Sequence, residues 1–501
     1  MNDQIRSNPK GNKELLASSN ALGDVGRRRA LKTGLDVLMA SGASVMLASC
    51  GGGSGFSDST TTASPPPVSG TPAPPEQLEN VAFTVSDLKN RSIVFSGSCT
   101  VHVTSPSNPL EGATVNLASD NVWIFFDNIL PSALANNLEN IHVTGASAVP
   151  DQNVRLVRYL DGSVVISQGA TFEPLAVYDR ESLGGNTTSL GIYTYYKSPE
   201  LAAFANSIAS FTLRRGYMAT FAAAEDGTGY SQVYIADQSD LTVNSLPDEL
   251  KSRITFVRVV PWRWVPKKGL ANGDVQKAGV VKAGTYYDWN NNEDSTLDVE
   301  YVPIRQTLYW PSIPADKKGI TTLLGYNEPD GNNISVDAAV AHWPDLLATG
   351  LRLGTPAPTD GGRSWIYDFV NKCRAKGYRI DFVAAHFYWA HQSADELYSY
   401  LKEIHDNTGL PVWLTEFNNG ANWTTGPDPT QQENADVIAS WVAKMNETPW
   451  VERYFIYEWV EDCRRVFVSD STYDLTPTGV AYRDTETLLA FDSARRSDEG
   501  Q

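Results

Sequence analysis

Up to about residue 260 the chain is rich in β-branched runs broken by turn formers; beyond it, strand-like and helix-like runs alternate regularly. Together these patterns predict a multidomain protein with all-β N-terminal modules followed by an α/β (β/α)8 barrel of the TIM type. The length agrees. A chain of 501 residues has room for two to four domains, and 42% hydrophobic content is enough for real cores. The span 261–490 has the size typical of such a barrel.

The N-terminal 50 residues read as an address. Arg27-Arg28-Arg29-Ala30-Leu31-Lys32 resembles the twin-arginine export signal. A weakly apolar run from Leu35 to Ala48 follows, too short and too polar to span a membrane. It ends in Leu47-Ala48-Ser49-Cys50, which resembles a bacterial lipobox. The resemblance implies lipidation at Cys50 and a protein exported to the cell envelope, held to a membrane face. Residues 51–79 are rich in Gly, Ser, Thr and Pro, a composition that gives an extended tether. Three cysteines remain, Cys99, Cys373 and Cys463, and none has metal-ligand spacing.

Residues 80–173 form the first β-rich module, with strands expected at 92–96, 99–103, 121–126 and 154–158 and a hairpin turn at Asp161-Gly162. The expected class is a sandwich or a sheet stack. Residues 174–260 carry two similar halves, each with a Gly-rich hairpin before a strand, at 175–185 and 208–217, then at 218–230 and 254–259. This arrangement resembles the doubled Greek key of βγ-crystallins. Their calcium signature falls on 205–210 and 251–256, where most oxygen ligands are missing, so no metal is predicted. The module reads as a structural spacer or as a carbohydrate-binding unit.

In the barrel, strands are expected at 285–289, 300–304, 322–327, 351–354, 380–386, 412–415 and 453–457, with the first somewhere between 254 and 271. Helices are expected at 337–349, 365–376, 394–407 and 431–446. Two of the strands end in a glutamate: Leu-Leu-Gly-Tyr-Asn-Glu-Pro-Asp at 323–330 and Val-Trp-Leu-Thr-Glu-Phe-Asn at 412–418. A carboxylate at a barrel strand's C-terminal end has little structural reason to be there, and two of them among aromatics suggest glycoside hydrolysis. The net charge of −18 argues against nucleic acid and fits a protein that handles a neutral polymer. Twelve of thirteen tryptophans lie at or beyond Trp262, as expected where sugar rings stack on aromatic planes, although core packing accounts for many of them.

Counting strands back from the last, Asn327-Glu328 ends the fourth and Glu416 the seventh, the plan of clan A retaining glycosidases. More narrowly, 262–480 resembles glycoside hydrolase family 128, on the motifs at 323–330, Arg-Leu-Gly-Thr-Pro-Ala at 352–357, Asp-Phe-Val-Ala-Ala-His-Phe-Tyr-Trp at 381–389 and Leu-Thr-Glu-Phe at 414–417. The resemblance implies an endo-acting β-1,3-glucanase with Glu416 as nucleophile, Glu328 as acid/base and Asn327 on the sugar 2-hydroxyl. His386 and Tyr388 share one strand face and could orient Glu416 and touch the sugar; His386 could equally be a core histidine. Tyr286 and Trp289 are expected in the cleft, Trp459 beneath the scissile sugar, and Trp389 and Trp423 on the rim. Asp330 is expected to hold its loop, and Glu458 to be a substrate contact or a solvated charge. No cofactor is expected. The expected partners are a polysaccharide and, through Cys50, a membrane, with the protein a monomer. Rival readings are a hydrolase for another β-linked polysaccharide and a non-catalytic glycan-binding surface lipoprotein.

Overall fold

The computed structural model describes residues 73–314, 316–424, 427–458, 460 and 463–497. The export and lipobox stretch with Cys50 lies outside them, as does Trp459.

In the first module the chain alternates between two sheets. Glu76–Glu79, Ser92–Ser96, Thr114–Leu117 and Ile141–Val143 pair in parallel in one sheet; Ala82–Val85, Ser98–Val103 and Asn121–Phe126 do so in the other. Alternate side chains, among them Ile93, Phe95, Val101, Val103, Val115 and Leu117, are buried between the sheets. Asn80 and Asn90 take corners at φ of 52° and 55°, a region their short polar side chains tolerate, and Asn80 Oδ1 accepts from the Ser98 amide at 2.8 Å. Of the two expected forms, a sandwich or a sheet stack, the structure shows two facing sheets with largely parallel pairing, the chain passing from one to the other. In–out alternation is the same in both architectures, so the strand pattern alone does not separate them. The hairpin forms as expected, with Arg155–Tyr159 and Gly162–Ile166 antiparallel and Tyr159 opposite Gly162.

The second module has two antiparallel sheets of four strands. One orders Gly184–Leu190, Leu175–Arg180, Ser210–Leu213 and Leu241–Val243; the other orders Tyr195–Tyr196, Phe256–Pro261, Tyr217–Ala222 and Ser231–Ala236. Each half thus lends its third strand to the other half's sheet.

The described residues of the remainder form an α/β domain with eight parallel strands: β1 (Lys268–Ala271), β2 (Thr285–Tyr287), β3 (Glu300–Tyr301), β4 (Thr322–Leu323), β5 (Arg352–Leu353), β6 (Val383–Phe387), β7 (Val412–Phe417) and β8 (Val451–Tyr457). Six form one sheet, ordered β3-β2-β1-β8-β7-β6, and β4 pairs with β5. Isolated parallel bridges, Ile304↔Leu324 and Gly354↔Phe382, lie between the two sets. β6 and β7 are buried along their whole length, as parallel strands covered on both faces must be. Tyr287, Val302, Leu324, Phe382, Trp413 and Phe455 pack together on one face of the strands. Tyr286, Phe387, Leu397 and Trp441 belong to the core on the other face, against the helices.

Those helices are α1 (Val275–Val280), α2 (Val336–Ala341), α3 (Trp343–Leu347), α4 (Arg363–Ala375), α5 (Ala394–Thr408), α6 (Gln431–Glu447) and α7 (Pro477–Asp484). The single helix expected at 337–349 is split at His342, because Pro344 has no amide to continue the ladder and instead opens α3. α5 and α6 start in reciprocal caps, Ser393 with Glu396 and Thr430 with Glu433.

The three modules share a core. Trp123 and Phe125 of the first, Met218 and Val260 of the second, and Trp262, Trp264 and Leu489 pack as one buried cluster. Arg155 clamps it, donating to the carbonyls of Gly216 (2.9 Å) and Trp262 (3.0 Å).

Candidate active site

The C-terminal ends of β2, β4, β6 and β7 converge on Glu416. It lies near the end of β7, 5% exposed, and three donors hold it. Tyr287 Oη and Trp289 Nε1, from β2 and the residues after it, each donate to Oε1 at 3.1 Å. Tyr388 Oη, just past β6, donates to Oε2 at 2.7 Å. A register irregularity between β6 and β7 sets His386 directly opposite Glu416, re-aiming both side chains as bulges do. His386 lies between the two glutamates, with Nδ1 3.2 Å from Glu328 Oε1 and Nε2 3.4 Å from Glu416 Oε1.

Glu328 follows β4 and is more open, with a third of its side chain exposed. Its backbone sits at φ +41°, left-handed for a non-glycine residue, and its amide donates to the Ala357 carbonyl at 2.7 Å. Trp289 is also left-handed, at φ +59°. Such backbones cost on the order of 1–3 kcal/mol each and cluster at functional sites. The Trp289 indole N–H is shared between Glu416 Oε1 and Asn327 Oδ1, both at 3.1 Å, so one donor ties the residue before Glu328 to Glu416. One oxygen of each glutamate and a His386 ring nitrogen all lie within 4.8 Å of one another.

Residues 269–482 match the family model described as glycosyl hydrolase catalytic core. The matched span contains both glutamates and all the side chains that hold them. Over 206 residues, 38% of this chain, the sequence is 31% identical to alkali-sensitive linkage protein 1 of Schizosaccharomyces pombe; the match spans 37% of that protein's length. Among solved structures, the chain is similar to a GH128 (subgroup I) endo-beta-1,3-glucanase from Amycolatopsis mediterranei in complex with laminaritriose. The identity is 29%, over 44% of this chain and 99% of that one, with a TM-score of 0.40. It is also similar to a GH128 (subgroup II) endo-beta-1,3-glucanase from Sorangium cellulosum, at 24% identity over 44% and 98%, with a TM-score of 0.38.

Around the two glutamates, burial and neighbouring charge act against each other. Burial pushes the Glu416 carboxyl above its ordinary range; His386 pulls it back, Glu328 adds to the rise, and the Tyr388 and Tyr287 hydroxyls oppose it. Burial alone would lower His386, but the two glutamates and Asp360 outweigh it and raise the imidazole. Burial also raises Asp360 itself, on the loop before α4. The Glu328–His386–Glu416 group has the spacing of a cation site; a cation held there would occupy both carboxylates.

Of the sequence candidates, Glu328, Glu416, Asn327, His386, Tyr388 and Trp289 come together. Tyr286 does not. Side chains alternate along β2, so it faces the helices and packs on Tyr301 with ring centroids 5.2 Å apart, while Tyr287 takes the place expected for it. Trp389 is half-buried against Phe387 and Tyr400, over the strand–helix layer, rather than standing free on a rim. Trp423 is exposed and meets the Tyr388 ring edge-on at 5.2 Å. Asp330 accepts from the Thr359 amide and hydroxyl, holding the loop after β5 as expected. Glu458 is neither a solvated charge nor free for a substrate, since it is buried in a 2.9 Å pair with Lys277. Tyr287 and Asp360 were absent from the sequence candidates. Strand parity read from Trp289 would have found Tyr287; no sequence signal marks Asp360.

Proposed function

We propose that this chain is a retaining glycoside hydrolase that cleaves β-1,3-glucan by double displacement. The carrying observation is the separation of the two carboxylates, which approach within 4.8 Å. Retaining enzymes place them about 5–5.5 Å apart, whereas inverting enzymes leave about 6.5–9.5 Å for a water. The family-model match at 269–482 supports the reaction class. The motifs at 323–330, 352–357, 381–389 and 414–417 support the substrate, through their resemblance to family 128.

Glu416 attacks the anomeric carbon and the C1–O bond breaks, while Glu328 gives its proton to the departing oxygen. Glu328 then takes a proton from water, which displaces Glu416 and restores the original anomer. The division of roles follows the surroundings: Glu416 has three donors and an imidazole to stabilise its anion, while Glu328 is open to a leaving group and to water. Asn327, with its amide oxygen fixed by Trp289, is left with an NH2 group to offer the 2-hydroxyl.

The scaffold reading is a (β/α)8 barrel, supported by eight parallel strands and the two isolated bridges between their sets. For 174–260 it is a βγ-crystallin-like module, supported by the exchange of third strands. Export and lipid attachment at Cys50 rest on the order of arginines, apolar run and cysteine in residues 27–50. A fatty-acylated N-terminal Cys50 peptide in mass spectra of the envelope fraction is the expected result, and an unmodified peptide that still carries residues 27–49 rejects it.

The functional test is product release from a panel of β-glucans and other polysaccharides, using wild type, Glu328→Gln and Glu416→Gln. Cleavage of β-1,3-glucan by wild type alone is the expected result. Cleavage that survives both substitutions would reject the catalytic pair, and binding without any cleavage would reject the enzyme.

A further inference from the structure

We propose that Tyr309 and Trp310 form an outer sugar-binding platform, taking a glucosyl unit of the glucan chain beyond those at the cleavage point. The inference rests on the functional reading above and deepens it. The two rings are the most exposed tyrosine and tryptophan among the described residues, 72% and 49% exposed and adjacent in sequence. Large aromatics are usually buried, so two successive exposed ones call for an occupant.

The loop that carries them is rigid. Arg305 is buried beneath it, donating from Nε (3.1 Å) and Nη2 (2.6 Å) to the Leu308 carbonyl and from Nη1 (2.9 Å) to the Pro311 carbonyl. Thr307 Oγ1 accepts from the amides of Tyr309 (3.3 Å) and Trp310 (3.0 Å), and the Thr307 amide donates to the Trp310 carbonyl at 2.7 Å. Tyr309 stands edge-on to His342, with centroids 5.0 Å apart and its hydroxyl 3.3 Å from His342 Nε2. A buried guanidinium spent on two loop carbonyls is a strong constraint on a surface turn. It holds the loop backbone before a ligand arrives, which lowers the ordering cost of binding.

The loop also belongs to the catalytic end of the domain. It follows β3 at its C-terminal end, and at its root the Gln306 carbonyl accepts from the Asn327 amide at 2.9 Å, one residue before Glu328. On this proposal, a chain lying across the two glutamates runs on past Asn327 to the loop whose root Asn327 holds. The C–H faces of a glucosyl ring are apolar and suit an aromatic plane, and the polymer is neutral, so no charged partner group is needed.

The test measures affinity for β-1,3-linked gluco-oligosaccharides of three and six units by calorimetry. A Glu416→Gln background keeps the chains intact, with and without Tyr309→Ala/Trp310→Ala. The ratio of six-unit to three-unit affinity is expected to fall about tenfold, which corresponds to about 1.4 kcal/mol. Tyr309→Phe/Trp310→Phe, which keeps an aromatic plane at each position, is expected to restore it. An unchanged ratio, whether both affinities hold or both fall, overturns the platform while leaving the enzyme reading intact. Wild type that cleaves no β-1,3-glucan, with a Glu416→Gln form that binds neither oligosaccharide, overturns the functional reading and the platform with it.

Discussion

Glu416 is buried, and buried carboxyls prefer to be neutral, yet a nucleophile must be charged. Tyr287, Trp289, Tyr388 and His386 are the groups that stabilise the anion. The sign of a change there follows. A donor to the charged form lowers the pKa, so removing one raises it further. Tyr388→Phe should therefore move the acid limb of the kcat/KM profile to higher pH, with activity lost first on the acid side. An acid limb that stays in place would show that the Tyr388 hydroxyl does not bear on Glu416. Glu328→Gln removes the acid and should lower kcat by about 10²–10⁴-fold, read by steady-state kinetics, with the smaller loss on substrates whose leaving group needs no proton. Most of this site was legible in the sequence, because a glutamate after an apolar strand stands out against its neighbours. The Tyr286/Tyr287 exchange was not. Both are tyrosines on one short strand, and the one that faces Glu416 emerges only when parity is counted from Trp289, which shares Glu416 Oε1 with Tyr287.

At the scale of elements, the long amphipathic helices and apolar strands were predicted within a few residues, since period and capping signals agree there. β1 was not fixed, and the reason is chemical: it opens with buried lysines. Lys268 Nζ donates to the carbonyls of Arg483 and Thr485, and Lys267 Nζ to those of Met445 and Thr448, tying off the ends of α7 and α6. Buried cations with such partners are invisible to hydropathy. Other buried charges lie on the strands themselves. Arg352 on β5 meets Glu452 on β8 at 3.0 Å, and Glu452 also accepts from the Trp413 indole at 2.6 Å. Glu452→Gln should leave the guanidinium without the carboxylate it hydrogen-bonds and cost about 3–5 kcal/mol. Urea unfolding of the two proteins measures it; a loss below about 1 kcal/mol would mean the arginine is solvated after all.

Over the whole molecule, the β modules and the α/β domain do not behave as beads on a string. Trp123, Trp262 and Trp264 are each buried at the junction, and Trp264 Nε1 donates to the Asp237 carbonyl of the second module at 3.1 Å. Trp264→Ala should cost about 3–5 kcal/mol and lower the melting temperature of the protein as a single transition. Two separate transitions, with only one shifted, would contradict a shared core. The sequence placed the boundary near residue 261, but the tryptophans beyond it gave no sign of which partner they cover. Contacts between modules follow no local period.

Double displacement by Glu416 and Glu328 retains the anomeric configuration. The most direct measurement is the anomeric configuration of the first product released from β-1,3-glucan, followed by proton NMR before mutarotation. The predicted product is the β-anomer, formed by wild type and absent with Glu416→Gln. An α-anomer appearing first would mean a single displacement and would contradict the roles assigned to the two carboxylates.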